Sequence, residues 1–395
     1  MKILTVSTLF PFVNNPKHGI FVETRLRQLQ QHYPDIEAKV IAPIPYFPSK
    51  NEIFGSYAQY AKAPEFEERY GIDVYHPRYL AIPKVGMTLT PLTLAYSIYN
   101  QAKKIINNGY DFDLIDGHYF YPDGVAIRKV AKKLNKPFTV TARGTDINLI
   151  PSFKKQKKQI QQVLNQSDHN MAVCEALRQE MIKLGASPGK VSTLRNGVNL
   201  ELFSFADKEK QMNLRKKLHL SEDNPVVISV GHLIERKGHH LVIDAISQIP
   251  NVELLIAGEG PDIKRLKTLV KTTNMEKRVH FLGSLTQEKL SDYYGASDVL
   301  VLASSREGWA NVLLEAMSCG TPVVATNIWG TPEVVQTPEA GKLVDRNAYD
   351  IKNGITDILN SPIDRNKTRL YAEKFKWEST SKKQHEIFNS INRKN

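Results

Sequence analysis

The chain has 395 residues, 41% hydrophobic and 24% charged, with 22 Gly, 21 Pro and two Cys. That balance excludes a disordered, collagenous or disulfide-stapled protein, and at ~150 residues per domain it predicts two or three domains. The net charge of +12 is lopsided: residues 1–200 hold 26 Lys and Arg against 16 Asp and Glu, and residues 201–395 hold 27 against 25, so one basic half is expected to face an anionic partner.

Residues 1–12 could pass for a leader, but Thr8 and Pro11 break the apolar run, Asn14 and Asn15 follow, and no small-residue cleavage site appears. Residues 3–7 therefore read as a buried first strand. Strands follow at 38–42, 114–117, 138–141, 169–173 and 191–194, then at 226–230, 253–257, 279–282, 299–302 and 322–325. Helical periodicity lies between them at 20–31, 124–134, 239–248, 263–272 and 311–318. Several strands are continuous apolar runs, as parallel strands covered on both faces require. The alternation predicts an α/β protein of two Rossmann-like, doubly wound parallel-sheet domains facing a cleft, joined near 196–207. The longest uncharged stretch, 85–102, contains Pro91 and Asn100 and falls short of the ~20 apolar residues of a membrane span, so a cytoplasmic, non-integral protein is expected. Cys174 and Cys319 sit in apolar runs with no Cys or His at ligand spacing and read as buried thiols. No zinc-ligand spacing, RNA-binding signature or recognition helix accompanies the basic half, so nucleic acid is not the expected partner.

In such folds ligands bind outside the carboxyl ends of the strands, so the loops there carry the chemistry. After strand 3–7 comes a loop ending in His18 and Gly19, where glycine allows close approach to the next helix. Strand 114–117 delivers His118, either a satisfied structural group or a ligand contact. Strand 138–141 delivers Arg143, Gly144, Thr145 and Asp146, and Asp146 either meets a ligand or caps the turn. In the second half GHLIERKG (231–238) puts Arg236 and Lys237 before a helix, where adjacent cations stabilise a pyrophosphate leaving group. GEGP (258–261) lacks the G-x-G-x-x-G spacing, and no G-x-x-x-x-G-K-[ST] loop exists, so ATP hydrolysis is not expected. Strand 299–302 runs through Ser304, Glu307 and Trp309 into a helix that starts near Asn311 and holds Glu315. Unpaired N–H groups of Asn311, Val312 and Leu313 would receive a phosphate, with Glu307 and Glu315 reaching opposite ends of the ligand. Those two carboxylates lie ~12 Å apart if the whole interval is helical. Asp111 and Asp113 spell D-x-D, the pattern of metal-dependent transferases, but in the polar run NNGYDFDLIDGH a solvated turn accounts for them.

Taken in order, the loop at Gly19, the GTD turn (144–146), RNGVN (195–199), GHLIERKG, GEGP, the Glu307 to Glu315 box and GTPVVATNIWGTPEVV (320–335) resemble the retaining nucleotide-sugar glycosyltransferases of family 4. The resemblance covers nearly the whole chain, and FPFVNNPKHGIFV (10–22) is similar to subgroups that build bacterial surface polysaccharides. It implies the GT-B fold, with an acceptor-binding domain over 1–203 completed by 378–395, beyond Trp377, and a donor-binding domain over 204–377. It implies transfer of a hexosyl unit from a nucleotide-diphosphate sugar, UDP favoured over GDP, to a glycan or lipid-linked acceptor, with retention and without metal or cofactor. Glu307 would contact the donor sugar hydroxyls, Glu315 the ribose, Arg236 and Lys237 the pyrophosphate, and Gly19 the donor from the N-terminal side. His118, Arg143 and Asp146 would line the reacting sugar and acceptor, the catalytic set being Glu307, His118, Arg236 and Lys237. The chain departs from the family pattern at Arg143, where many members carry His, at His232, where many carry Arg, and at Trp309 and Ala310. The alternative within the same fold is a nucleotide-sugar epimerase. Lys154, Lys155, Lys157 and Lys158 are expected to rest on an anionic membrane beside a lipid-linked acceptor.

Overall fold

The computed structural model describes residues 1–81 and 86–393. The first part of the chain supplies strands β1 (Lys2–Val6), β2 (Glu37–Ile41), β3 (Ile44–Pro45), β4 (Phe66–Arg69), β5 (Ile72–Tyr75), β6 (Arg78–Tyr79), β7 (Leu114–His118), β8 (Phe138–Ala142), β9 (His169–Ala172) and β10 (Val191–Thr193). Eight of them form one sheet in the order β10-β9-β8-β7-β1-β2-β5-β4, and β3 pairs with β6 alone. Every pairing in the large sheet is parallel except the β4–β5 hairpin. From β1 the chain passes to β2 on one side and returns to β7 on the other, so the switch point, where loops splay apart and leave a crevice, lies between β1 and β7.

The later part supplies β11 (Val226–Val230), β12 (Glu253–Ala257), β13 (Val279–Gly283), β14 (Val299–Leu302), β15 (Val323–Thr326) and β16 (Gly341–Val344). They form an all-parallel sheet ordered β13-β12-β11-β14-β15-β16, with its switch point between β11 and β14. Strands β11 and β14 are buried along their whole length, which explains their unbroken apolar runs. The expected architecture of two doubly wound domains is therefore present.

Two compact units result, Met1–Asn196 with the segment from Glu378, and Gly197–Trp377. The first unit ends at Asn196 rather than at the expected 203, because 197–203 is tied into the second: Val198 N–H donates to Phe375 O, and the Arg369 guanidinium grips the carbonyls of Leu200 and Phe203. The C-terminal helix, Trp377–Asn392, places Ile387, Phe388 and Ile391 in the cluster of Ile3, Leu29, Leu114, Met171 and Leu194, so the end of the chain completes the first unit's core.

The β4–β5 hairpin and β16 are additions to the expected elements. Tyr70 and Gly71, at φ 52° and 76°, form the two-residue left-handed turn that joins β4 to β5. Stretch 85–102 falls mostly in the helix Thr90–Asn107, its first residue lying outside the described residues. Among the described residues no helix is long and apolar enough to cross a membrane.

Candidate functional site

In the second unit both loops flanking the switch point carry the charged residues singled out above. After β11 the chain turns through Glu235–Lys237 into the helix His239–Ser247, with Gly238 at φ 71°. A Cβ on Gly238 would stand 2.1 Å from Ala303 O, so only glycine lets this helix start close on the end of β14. Arg346 clamps the same turn, donating from Nε to Ala303 O at 3.1 Å and from Nη2 to Glu235 O at 3.1 Å. No local sequence signal announced this arginine.

The approach of the two loops brings Arg236, Lys237 and Glu307 together. Glu307 Oε1 accepts from Lys237 Nζ at 2.6 Å and from Ser304 Oγ at 2.6 Å, and Arg236 Nη1 lies 4.0 Å away while donating to Arg306 O at 2.6 Å. The Lys237 and Glu307 side chains are only 17% and 11% exposed. A cation pair thus converges on one largely desolvated carboxylate, an arrangement able to receive an oxyanion and a sugar hydroxyl side by side. The GEGP turn packs on the β11 loop, Leu233 N–H donating to Glu259 O at 2.8 Å, and a Cβ at Gly258 would stand 1.9 Å from Gly231 O.

The helix after Trp309 runs Asn311–Ser318. Only part of the interval from Glu307 to Glu315 is helical, so the ~12 Å separation, which assumed a continuous helix, does not apply. The expected trio of free N–H groups is also reduced: Asn311 N–H donates to Trp309 O and Leu313 N–H to Ala310 O in the tight entering turn, which leaves Val312 N–H with no partner among the described residues. Glu315 Oε2 accepts from Tyr294 Oη at 3.1 Å, and burial pushes its carboxyl up to about 7.

In the first unit Gly19, at φ 65°, starts the helix Ile20–His32, and a Cβ there would stand 2.2 Å from Leu9 C and O. The preceding loop is pinned by Asp123, which accepts from Thr8 N–H at 2.7 Å and from Thr8 Oγ1 at 2.9 Å, and burial raises this carboxyl to about 7.

His118 ends β7 and is buried. A guanidinium can only donate, so the 2.7 Å bond from Arg143 Nη2 makes His118 Nδ1 an acceptor; the proton then sits on Nε2, which faces Asp116 Oδ2 at 3.3 Å. Burial lowers the imidazole to about 4 and keeps it neutral. Both ring nitrogens thus face partners within the protein, Arg143 and Asp116. Asp146 accepts from the N–H groups of Gly144, Phe120 and Arg143 at 2.8, 2.9 and 3.1 Å. It caps the turn, the structural alternative raised above. Asp111 pairs with Lys136 at 2.7 Å and Asp113 accepts Lys2 N–H at 2.8 Å, both before β7 and at its amino end.

Two sequence profiles divide the chain between them: that of Glycosyltransferase Family 4 matches residues 57–202, and that of Glycosyl transferases group 1 matches 210–375. The Bacillus subtilis protein named "Putative teichuronic acid biosynthesis glycosyltransferase TuaC" is 28% identical over 360 residues, 90% of this chain and 88% of that protein. Sucrose-phosphate synthase from Thermosynechococcus elongatus superposes with TM-score 0.83 at 21% identity over 100% of both chains. Anabaena HepE, solved with UDP-glucose, superposes with TM-score 0.75 at 21% identity over 99% of this chain and 100% of its own. The solved structures share the GT-B fold. The chain belongs to the family 4 (group 1) glycosyltransferases. The epimerase alternative finds no support in these comparisons.

Proposed function

We propose that this glycosyltransferase moves a hexosyl unit from a nucleotide-diphosphate sugar, UDP-linked before GDP-linked, to a glycan or lipid-linked acceptor in surface polysaccharide assembly, with retention of anomeric configuration and without a metal. The observation that carries this reading is the convergence of Arg236 and Lys237 on Glu307 at the second unit's switch point. Arg236, Lys237 and the Val312 N–H meet the pyrophosphate, and their charge stabilises the departing diphosphate. Glu307, freed from Lys237 by the incoming phosphate, accepts hydroxyls of the transferring sugar, and Glu315 accepts from the ribose. Glu235, the other carboxylate of the β11 loop, is paired with Arg346 at 3.2 Å, and Glu307 is given to the sugar hydroxyls, so transfer proceeds on the front face: the departing phosphate helps take the proton of the acceptor hydroxyl as the new glycosidic bond forms. Within the first unit His118 and Asp146 position Arg143 and its turn, which serve the acceptor. The UDP-glucose held by HepE and the polymer named for the Bacillus relative support this substrate class.

The first unit is further proposed to rest on the inner face of an anionic membrane. Lys154, Lys155, Lys157 and Lys158 are exposed in the first turns of the helix Lys154–Gln166, next to exposed Phe153. Cations at a helix N-terminus oppose its dipole, a cost that anionic headgroups would relieve. Leu89, just before the helix Thr90–Asn107, and Leu92 and Tyr96 within it add an exposed apolar stripe.

A panel of UDP- and GDP-sugars tests the donor assignment by thermal unfolding, since a ligand at 100 times its Kd adds about 2.7 kcal/mol. Stabilisation by one nucleotide sugar, with nucleotide release on adding acceptor, is expected. No stabilisation by any of them refutes it.

A further inference from the structure

Arg143 has a fixed position and, among the described residues, no carboxylate in direct contact with its guanidinium. Its guanidinium donates to His118 Nδ1 at 2.7 Å and to Asn196 Oδ1 at 3.4 Å, and sits 5.1 Å from the centroid of the Phe21 ring. Its Nε is buried and meets no acceptor. Both nearby carboxylates are engaged elsewhere. Asp116 accepts from Thr139 Oγ1 at 3.1 Å and from Gln384 Nε2 at 3.3 Å and faces His118, whereas Asp146 is saturated by backbone N–H groups. Among the described residues no carboxylate forms an ion pair with Arg143. The arginine nearby, Arg25, is buried, is itself held by Gln384 Oε1 at 2.8 Å and brings no anion.

A neutral imidazole, an amide oxygen and a ring face therefore set the plane of this guanidinium and leave N–H donors unspent. A planar fork of this kind matches a carboxylate or phosphate in a bidentate way, and a desolvated cation without an anion favours a ligand that brings one. Phe21 is the second residue of the helix Ile20–His32, so the guanidinium also lies beside a helix start that has no side-chain cap.

We propose that Arg143 selects a substrate whose sugar bears its own oxyanion, a carboxylate or a phosphate additional to the donor pyrophosphate, on either the transferred sugar or the acceptor. The proposal rests on the glycosyl-transfer reading and narrows it. Uncharged sugars leave the guanidinium without a counterion and are bound more weakly.

Matched pairs of compounds separate the two sources. Donor pairs are UDP-glucuronic acid with UDP-glucose and UDP-galacturonic acid with UDP-galactose. Acceptor pairs are a uronate-terminated glycan with its carboxyl-reduced form and a sugar phosphate with the free sugar. Turnover and calorimetric binding are read on the full chain. The wild-type protein is expected to favour the anionic member of at least one pair by tenfold or more, chiefly through KM and Kd. Arg143→Gln should bring that ratio close to one, whereas Arg143→Lys, which keeps the charge and loses the fork, should retain part of it. Should Arg143→Gln fail to fold, the wild-type and Lys ratios decide. Equal binding of anionic and neutral members by the wild type overturns the proposal, as does an anionic preference unchanged in Arg143→Gln. Absence of turnover with every pair, in contrast, counts against the transferase reading, and the binding ratios still judge Arg143.

Discussion

Replacing Glu307 by Ala separates binding from transfer. The carboxylate holds Lys237 Nζ at 2.6 Å with both side chains largely buried. At ~4 Å and an effective dielectric of ~20 the raw attraction would be about 4 kcal/mol, much of it offset by desolvation. A hydrogen bond to a charged group nets about 1.5–3 kcal/mol, and an incoming pyrophosphate must displace that bond. Glu307→Ala removes the competitor and leaves Arg236 and Lys237 without their anion, so UDP affinity should rise by about tenfold, the lower part of that range at 1.4 kcal/mol per decade. The same change removes the acceptor proposed for the sugar hydroxyls, and turnover should fall by about 10²–10³, as when one transition-state contact is lost. Calorimetric UDP titration and nucleotide release from a UDP-sugar with acceptor check the two arms, with thermal unfolding to confirm the fold. UDP binding weakened tenfold in a folded Glu307→Ala protein, or turnover near wild type, refutes the assignment.

Gly238→Ala places a Cβ 2.1 Å from Ala303 O at φ 71°, so it should cost more than the ~1–2 kcal/mol of a left-handed residue and lower the Tm by several degrees; an unchanged Tm would deny the close approach of the two loops. Glu315 is held at about 7 by burial, above its unfolded range, so its contribution to stability is present at low pH and is lost as pH rises from ~4.5 to 7. Glu315→Gln should therefore gain about 2–3 kcal/mol on the wild type between pH 5 and 8, with Asp123, also near 7, cancelling from the difference; parallel pH profiles of the two proteins would contradict this. Exchanging Lys154, Lys155, Lys157 and Lys158 for Gln should weaken co-sedimentation with anionic vesicles by ~1 kcal/mol per surface-proximal residue, and salt should weaken the wild type; equal binding to neutral vesicles, or binding to neither, rejects the membrane surface. EDTA should leave turnover unchanged if Arg236 and Lys237 alone neutralise the diphosphate, and loss of activity on chelation, restored by a divalent cation, would reject a metal-free route.

The strands on either side of each switch point were legible because parallel burial writes them as unbroken apolar runs, and the charged loops after β11 and β14 were found by following those runs to their ends. The hairpin of β4 and β5 is hidden in the sequence because FEERYGIDVY carries an edge strand's charges, although Tyr70-Gly71 is a recognisable hairpin turn. The fates of His118 and Asp146 were harder to read. Asp116 and His118 are two apart on one strand and so share a face, a signal that would have paired them. Gln384, which bonds both Arg25 and Asp116, comes from a helix 268 residues beyond Asp116, and no local pattern reports it. Arg346 is similar: a lone arginine after an edge strand becomes the clamp on Glu235 and Ala303 only once the sheet has formed. The pairing of Lys237 with Glu307 spans 70 residues and depends on Gly238 closing on β14.

The most direct test of the central claim is NMR of the product formed from an anomerically defined α-linked UDP-sugar and acceptor, with nucleotide release quantified in the same sample. One UDP should appear for each new glycosidic bond, and the anomeric proton coupling of the product should report an α-linkage. A β-linked product would contradict front-face transfer, and UDP release with an epimerised or free sugar and no glycoside would contradict the assignment as a transferase acting from this site.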